Sequence, residues 1–176
     1  MATINILGVP HFYELTAPTP STQTLVFIHG WLLSHGYWQP VIDQLAPVHQ
    51  CLSYDLRGFG ASQAKTQKQS EAALLQSDSD SKYAPAAYAQ DLTHLLQHLD
   101  IQNAWLIGHS LGGTIALWGA AQSPERVRGV ICLNAGGGIY LKEEFERFRV
   151  AGQQILKLRP QWLCYLPLLD LLFTRA

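Results

Sequence analysis

Charged side chains are scarce in this chain of 176 residues. They make up 14% of the sequence, and 12 basic against 13 acidic side chains leave a net charge of −1. A nearly neutral chain lacks the strong basic bias of proteins that bind nucleic acids, so we expect no nucleic-acid partner. Hydrophobic residues make up 48%, which argues against disorder and predicts one folded domain.

Cysteine is rare and long apolar runs are few. Cys51, Cys132 and Cys164 are odd in number, far apart and set in apolar segments, which predicts reduced core thiols in place of disulfides or a zinc site. The first residues have neither the basic nor the apolar stretch of a secretory signal. The longest apolar segment, 162–173, is interrupted and is shorter than the roughly 20 residues that cross a bilayer. We therefore expect a cytoplasmic protein without a transmembrane segment.

The chain does contain apolar runs that alternate with segments of helical periodicity. After an opening hairpin (3–7 and 12–16, with a turn at 8–10), the pattern predicts strands at 25–28, 51–54, 104–107 and 129–133 and helices at 37–46, 86–99 and 110–121. Strands that alternate with helices are typical of a parallel sheet with right-handed crossovers. The predicted fold class is α/β, with a mostly parallel sheet and flanking helices.

Two segments depart from this alternation. Residues 62–82 are rich in Gln, Ser, Lys, Asp and Ala, which predicts a mobile polar insertion at the surface. Residues 136–176 begin with three glycines and continue with apolar residues at helical spacing, which indicates the start of a helical lid. Residues 1–135 then form the core.

The segment Gly108-His109-Ser110-Leu111-Gly112 lies between a predicted buried strand and a predicted helix. A serine at such a junction must adopt a sharp, strained turn, and the flanking glycines allow the backbone to approach closely. The turn exposes the hydroxyl above the sheet, so we predict that Ser110 is a nucleophile. The amide of Leu111 and the helix dipole then point to where negative charge develops on a tetrahedral intermediate.

Two further loops follow earlier strands at the same predicted edge of the sheet. His29-Gly30-Trp31-Leu32 comes after the strand 25–28, and the Trp31 amide is a candidate for the second oxyanion donor. The segment 55–62, Asp-Leu-Arg-Gly-Phe-Gly-Ala-Ser, follows the next strand and makes a tight turn, to which we assign a structural role. His29, Gly30, Gly108, His109 and Gly112 are predicted to support the turns.

These three motifs, in this order and spacing, resemble the N-terminal part of the α/β-hydrolase family over about residues 1–135. The resemblance implies a serine nucleophile at Ser110 and oxyanion amides at Trp31 and Leu111. A serine at the nucleophile position argues against the dehalogenase and epoxide hydrolase branches, which have an aspartate there. The family needs no cofactor or metal, and we expect none.

The triad acid and histidine of the family follow the serine, on loops after later strands. No histidine follows His109 here, and Asn134, at one alternative position for the acid, carries no charge. We therefore expect that the later strands and helices are absent from this chain, that it is truncated and that it is a very poor catalyst. An exposed sheet edge and lid would favour self-association.

Some histidines leave alternatives open. His29 and His35 lie near the catalytic edge, where either could act as a base, although packing or hydrogen bonding is the more ordinary role. His94 and His98 have the i, i+4 spacing of metal ligands but no third ligand, so solvated side chains are the simpler interpretation.

The sequence is compatible with two functions. The first is a serine hydrolase that acts on an ester through an acyl-enzyme, with a small-molecule substrate whose apolar acyl or aromatic group suits the apolar lid residues. The second is a catalytically inactive binding or interaction module that keeps the cleft of the fold. A phosphate-binding loop is excluded, because residues 108–114 contain no Walker lysine.

Overall fold

The computed structural model describes residues 2–63 and 83–135. Its strands are β1 (Ala2–Ile6), β2 (Val9–Leu15), β3 (Thr24–Ile28), β4 (Gln50–Tyr54), β5 (Ala104–His109) and β6 (Val127–Leu133). Its α-helices are α1 (Gln39–Leu45), α2 (Pro85–His98) and α3 (Leu111–Gln122), with short 3-10 turns at His35–Trp38 and Gly60–Ser62. The predicted lid, and all but the first two residues of the predicted insertion, lie outside the described residues.

The six strands form one sheet in the order β1-β2-β4-β3-β5-β6. β1 and β2 form an antiparallel hairpin, and β2 joins β4 in the same antiparallel sense. β4, β3, β5 and β6 are all parallel to one another. The sheet has helices packed on it, which confirms the predicted α/β class with a mostly parallel sheet.

The opening hairpin turns at Leu7 and Gly8, with φ of 51° and 80°. Positive φ at two consecutive residues is the conformation of a type I′ turn, whose twist suits two-residue hairpins. The predicted turn at 8–10 is therefore placed too late, since Val9 and Pro10 already belong to β2 and pair with β1.

The helix predicted at 37–46 is two elements. A 3-10 turn occupies His35–Trp38, and α1 begins at Gln39 with a proline in its first turn. Pro40 has no amide hydrogen to donate and is best placed where helix amides lack an internal partner. α2 also begins with a proline. Within the described part of the chain, no helix combines the length and apolar character needed to cross a membrane.

The two faces of the sheet carry separate cores. On one face, Val26, Ile28 and Leu106 cluster with apolar residues of α2 and α3. On the other, Phe27 and Ile107 cluster with Trp38 and Ile42. The alternation of Val26, Phe27 and Ile28 between the two clusters is the period of two expected of a strand buried on both faces.

β6 is an edge strand among the described residues. Ile131 and Leu133 are 42% and 43% exposed, and Cys132 between them is also exposed. The prediction that all three cysteines are core thiols is therefore wrong for Cys132, because it is exposed on this edge strand. It holds for Cys51, which is buried, while Cys164 lies outside the described residues. Burial raises the pKa of the Cys51 thiol to about 11, so this thiol stays protonated at neutral pH.

Shortening Leu92 tests the core between α2 and the sheet. The side chain is fully buried, so Leu92→Ala is expected to lower the free energy of unfolding by about 2–5 kcal/mol, through lost burial and the cavity left behind. Urea unfolding measures the change. Leu117→Ala is the matched control, because Leu117 is 44% exposed on α3, and its expected change is within about 0.5 kcal/mol. Equal losses in the two variants would contradict the assigned core.

Candidate active site

Ser110 forms the turn between β5 and α3. Its φ is 53° and its ψ is −117°, a backbone conformation that residues with a side chain rarely adopt. The Ser110 amide donates to the Leu133 carbonyl at 2.9 Å, and the Ser110 carbonyl accepts from the Gly113 amide at 3.0 Å. Neighbouring backbone thus holds the serine in a strained turn, and such strain is concentrated at functional sites.

The glycines on either side of Ser110 are required by close backbone contacts. A Cβ on Gly108 would overlap the Gly112 carbonyl, and a Cβ on Gly112 would overlap the carbonyls of Ile28 and His29. The first contact closes the turn on itself. The second brings the start of α3 directly against the end of β3, where the next candidate loop begins.

The His29-Gly30 turn lies against the serine turn. A Cβ on Gly30 would lie 3.3 Å from the Ser110 Cβ and 3.1 Å from the His109 Nδ1. Trp31 follows Gly30 directly, so the structure brings the sequence-predicted Trp31 and Ser110 into one locality. Leu111 is the first residue of α3, where helix amides have no carbonyl partner within the helix. The backbone donors of a helix N-terminus suit a developing oxyanion.

His29 is fully buried and both of its ring nitrogens have partners. Its Nε2 accepts from the Leu56 amide at 3.0 Å, and its Nδ1 lies 2.8 Å from the Gly30 carbonyl. Because an amide can only donate and a carbonyl can only accept, the ring is neutral and carries its proton on Nδ1. Its lone pair is used by Leu56, so His29 has none to take a proton from Ser110.

His35 also has a hydrogen-bonding role. Its Nδ1 lies 2.9 Å from the Asp55 Oδ1, and its Nε2 lies 3.8 Å from a carboxylate oxygen of Glu14. Its ring packs on Phe12 with the centroids 4.7 Å apart. These contacts give His35 the packing and hydrogen-bonding role that is the more ordinary one for a histidine. Both of its ring nitrogens face carboxylates.

Asp55 is a fully buried carboxylate at the end of β4. It accepts from the His35 amide at 2.7 Å, from the His35 ring and from the Ala61 amide at 2.7 Å. Burial alone would raise the pKa of Asp55, but these hydrogen bonds and the charge of His35 outweigh it and lower the pKa below its ordinary 3.8. The carboxylate is therefore ionised at neutral pH.

His109 precedes the serine and packs against Tyr37, with ring centroids 5.1 Å apart. Its Nδ1 is buried and has no hydrogen-bond partner among the described residues. Burial lowers the pKa of His109, so the ring is neutral near pH 7. A neutral ring beside Gly30 fills the space next to the serine turn without adding charge.

A second polar cluster was not predicted from the sequence. Asp91 of α2 accepts from the Arg57 Nε at 2.9 Å and lies 3.2 Å from the Nε2 of His11, which is fully buried on β2. The cluster ties α2 to the loop after β4 and to the hairpin. No local pattern signals it, because its members are 34 and 80 residues apart along the chain.

The histidine pair on α2 shows no metal site. His98 is exposed and His94 is half-buried. No group of three or more His, Cys, Asp or Glu side chains suited to a metal ion occurs within residues 2–63 and 83–135. Asn134, at the position considered for a triad acid, follows β6 with a φ of 49°.

Comparisons with known proteins identify the fold. A family model described as the alpha/beta hydrolase fold matches residues 23–170. An uncharacterised hydrolase of Bacillus subtilis is 34% identical over 135 residues, which are 77% of this chain and 44% of that protein. A pimeloyl-[acyl-carrier protein] methyl ester esterase of Yersinia pseudotuberculosis is 31% identical over 121 residues, which are 69% of this chain and 40% of the esterase.

Among solved structures, one from a study of carboxylesterases of the thaumarchaeon Nitrososphaera gargenis superimposes with a TM-score of 0.71 at 25% identity. The match covers 88% of this chain and 53% of that one. This chain spans less than half the length of the two curated relatives. The comparisons therefore concern only the part of those proteins that aligns with this chain.

Adding a methyl group at Gly112 tests the contact between α3 and β3. Gly112→Ala is expected to lower the free energy of unfolding by about 3 kcal/mol, because its Cβ would overlap backbone that cannot move aside. Urea unfolding measures the loss. Gly119→Ala in the same helix is the control, because its Cβ would meet the ends of two leucine side chains and no backbone, the Leu92 Cδ2 at 2.8 Å and the Leu106 Cδ1 at 3.4 Å. If Gly119→Ala lowers the free energy of unfolding as much as Gly112→Ala does, the close contact between α3 and β3 is contradicted.

The pH dependence of stability tests the Asp55 carboxylate. Because its pKa is lowered in the folded state, its contribution is fully present above the ordinary pKa of 3.8 and is lost as the pH falls through the lower folded value. The stability difference between the wild type and Asp55→Asn should therefore shrink below pH 3.8. Urea unfolding of both proteins from pH 7 to pH 3 measures this difference. If the difference in the free energy of unfolding between the two proteins stays constant over that range, the Asp55 carboxylate is not held ionised by its partners.

Proposed function

The chain belongs to the α/β-hydrolase fold family, and we propose that the protein it represents is a serine hydrolase that cleaves an ester through an acyl-enzyme. Ser110 is the nucleophile. The amides of Trp31 and Leu111 are the oxyanion donors, and His29, Gly30, Gly108, His109 and Gly112 shape the two turns that present them.

One observation carries this proposal. Ser110 occupies a strained turn at the carboxyl end of a central parallel strand, and the Gly30 turn lies close enough that a Cβ there would be 3.3 Å from the Ser110 Cβ. Ligand sites of open parallel sheets lie at this edge. We place the nucleophile and the two candidate donors around one substrate carbonyl, which is approached from one side and polarised from the other.

The proposed reaction proceeds by addition and elimination. The Ser110 oxygen attacks the ester carbonyl, and the negative charge on the carbonyl oxygen is stabilised by the Trp31 and Leu111 amides. A histidine takes the serine proton and passes it to the leaving alcohol, and water then releases the acid. We place that histidine and its acid partner beyond the residues of this chain, because His29 and His35 are committed to other hydrogen bonds.

The substrate class follows from the chemistry of the site and from the relatives. An ester with an apolar acyl or aromatic group suits the apolar residues of the proposed lid. The name of the Yersinia relative specifies a methyl ester, which belongs to the same bond class. No cofactor or metal is required by this mechanism. Cys51 and Cys132 are free thiols, which suits the reducing conditions of the cytoplasm, where we place the protein.

A binding or interaction module is the second candidate. It is favoured by the same commitment of His29 and His35, the two histidines considered as a base for Ser110, to other hydrogen bonds. A catalytically inactive chain of this kind would keep the cleft, and its exposed β6 edge would allow self-association.

Serine-directed labelling separates the two candidates. In the complete wild-type protein, with the proposed histidine in place, a fluorophosphonate probe should label Ser110, because that histidine activates the hydroxyl and the two amides stabilise the charge that forms on phosphorus-bound oxygen. Ser110→Ala should lose the label, as measured by intact mass and peptide mapping. Ser21→Ala, at a half-buried position in the loop before β3, is the matched control and should label as the wild type does. An unlabelled wild type, or full labelling of Ser110→Ala, would favour the binding module.

A further inference from the structure

We propose that Asp55 is a positioning residue that, together with the adjacent Leu56 amide, clamps both ends of segment 30–34 and so fixes the Trp31 amide beside Ser110. The inference rests on the proposed function, because it assigns Asp55 a purpose in presenting an oxyanion donor. It goes beyond a general structural role for the loop after β4.

The first end of the segment is held through His29. Its Nε2 accepts from the Leu56 amide at 3.0 Å, and its Nδ1 donates to the Gly30 carbonyl at 2.8 Å. The ring is fully buried and so cannot exchange these partners for water. It therefore joins the start of the segment to the loop after β4.

The second end is held through His35, which is bound twice by one carboxylate oxygen. The Asp55 Oδ1 accepts from the His35 amide at 2.7 Å and from the His35 Nδ1 at 2.9 Å. The other oxygen accepts from the Ala61 amide at 2.7 Å, which fixes the carboxylate from its own loop. Hydrogen bonds to an ionised acceptor are short and strong, especially where water is excluded.

The loop of Asp55 is built around this carboxylate. Gly60 has a φ of 48°, and a Cβ there would overlap the carboxylate group. The Ser62 hydroxyl donates to the Asp55 carbonyl at 2.8 Å and accepts from the Phe12 amide at 2.8 Å. The clamp is thereby anchored to β2, whose Phe12 also packs on the His35 ring.

The segment needs such restraint because it is irregular and strained. Leu32 has a φ of 62°, the left-handed conformation that costs energy for a residue with a side chain. The backbone hydrogen bond from the Leu33 amide to the Gly30 carbonyl, within the segment, is long at 3.3 Å. His29 and His35, six residues apart, anchor the two ends of the segment, the first to the Leu56 amide and the second to the Asp55 carboxylate.

Asp55→Asn tests the clamp with two measurements. The amide side chain has nearly the same size but cannot accept all three hydrogen bonds, so hydrogen exchange of the backbone amides at 31–35 should accelerate by at least about tenfold. Fluorophosphonate labelling of Ser110 should lose at least about tenfold in its maximal rate, because one oxyanion donor is misplaced. The probe concentration that gives half of that rate should change by less than about twofold, since ground-state binding is not affected.

Two controls separate positioning from general effects. Asp43→Asn makes the same change of charge on α1, where Asp43 is exposed and accepts from the Gln39 side chain at 2.7 Å. It should leave both measurements unchanged. Leu96→Ala removes a buried side chain of α2, on the other face of the sheet from α1. It should accelerate exchange throughout the core without a selective effect at 31–35.

His35→Phe is the second variant, should Asp55→Asn fail to fold. It keeps the ring stacked on Phe12 and the backbone hydrogen bond to Asp55 but removes the bond from the ring nitrogen. A smaller change in the same direction is expected in both measurements.

The outcomes distinguish this inference from the proposed function. An unlabelled wild type overturns the proposed function and, with it, the purpose assigned to Asp55. A labelled wild type with unchanged exchange at 31–35 in the Asp55 variant overturns the clamp alone. Faster exchange without loss of the maximal labelling rate also overturns it, because the segment is then held for stability and not for the Trp31 amide.

Discussion

The contact between the serine turn and the end of β3 is the constraint on which the site depends. β3 and β5 are parallel neighbours with Ile28 paired to Gly108, so the residues that follow each strand emerge side by side. The approach is close enough that Gly112 has no room for a side chain against the Ile28 and His29 carbonyls. Register and glycine together bring the turn of Ser110 and the turn of Gly30 into one place.

The sequence predicts best the features that depend on residues close together in the chain. The strand before Ser110, the helix after it and the glycines at 108 and 112 are neighbours in the chain, and each has a direct steric reason. The fold class follows in the same way from the order of strands and helices. The Asp55–His35 and Asp91–Arg57 pairs could not be predicted, because a buried carboxylate selects its partners in three dimensions and leaves no periodicity in the sequence.

The boundaries that differ from prediction have physical explanations of the same kind. The hairpin turns at Leu7 because positive φ at two residues matches the twist of the strands, although a leucine is an uncommon residue there. The first helix begins as a 3-10 turn because Pro40 fixes where its α-helical part can start. Both differences alter where an element begins or ends and leave the sheet order intact.

The polar groups around the serine divide into those that hold backbone and those that could act on a substrate. The hydrogen bonds of His29, His35 and Asp55 hold loops in place. The ionised Asp55 carboxylate is buried and is stabilised by the groups that donate to it. A group used in this way cannot also relay a proton, because taking one would break the bond that holds the loop. The geometry of the proposed nucleophile and the supply of its base are therefore separate questions, and the described residues bear on the first.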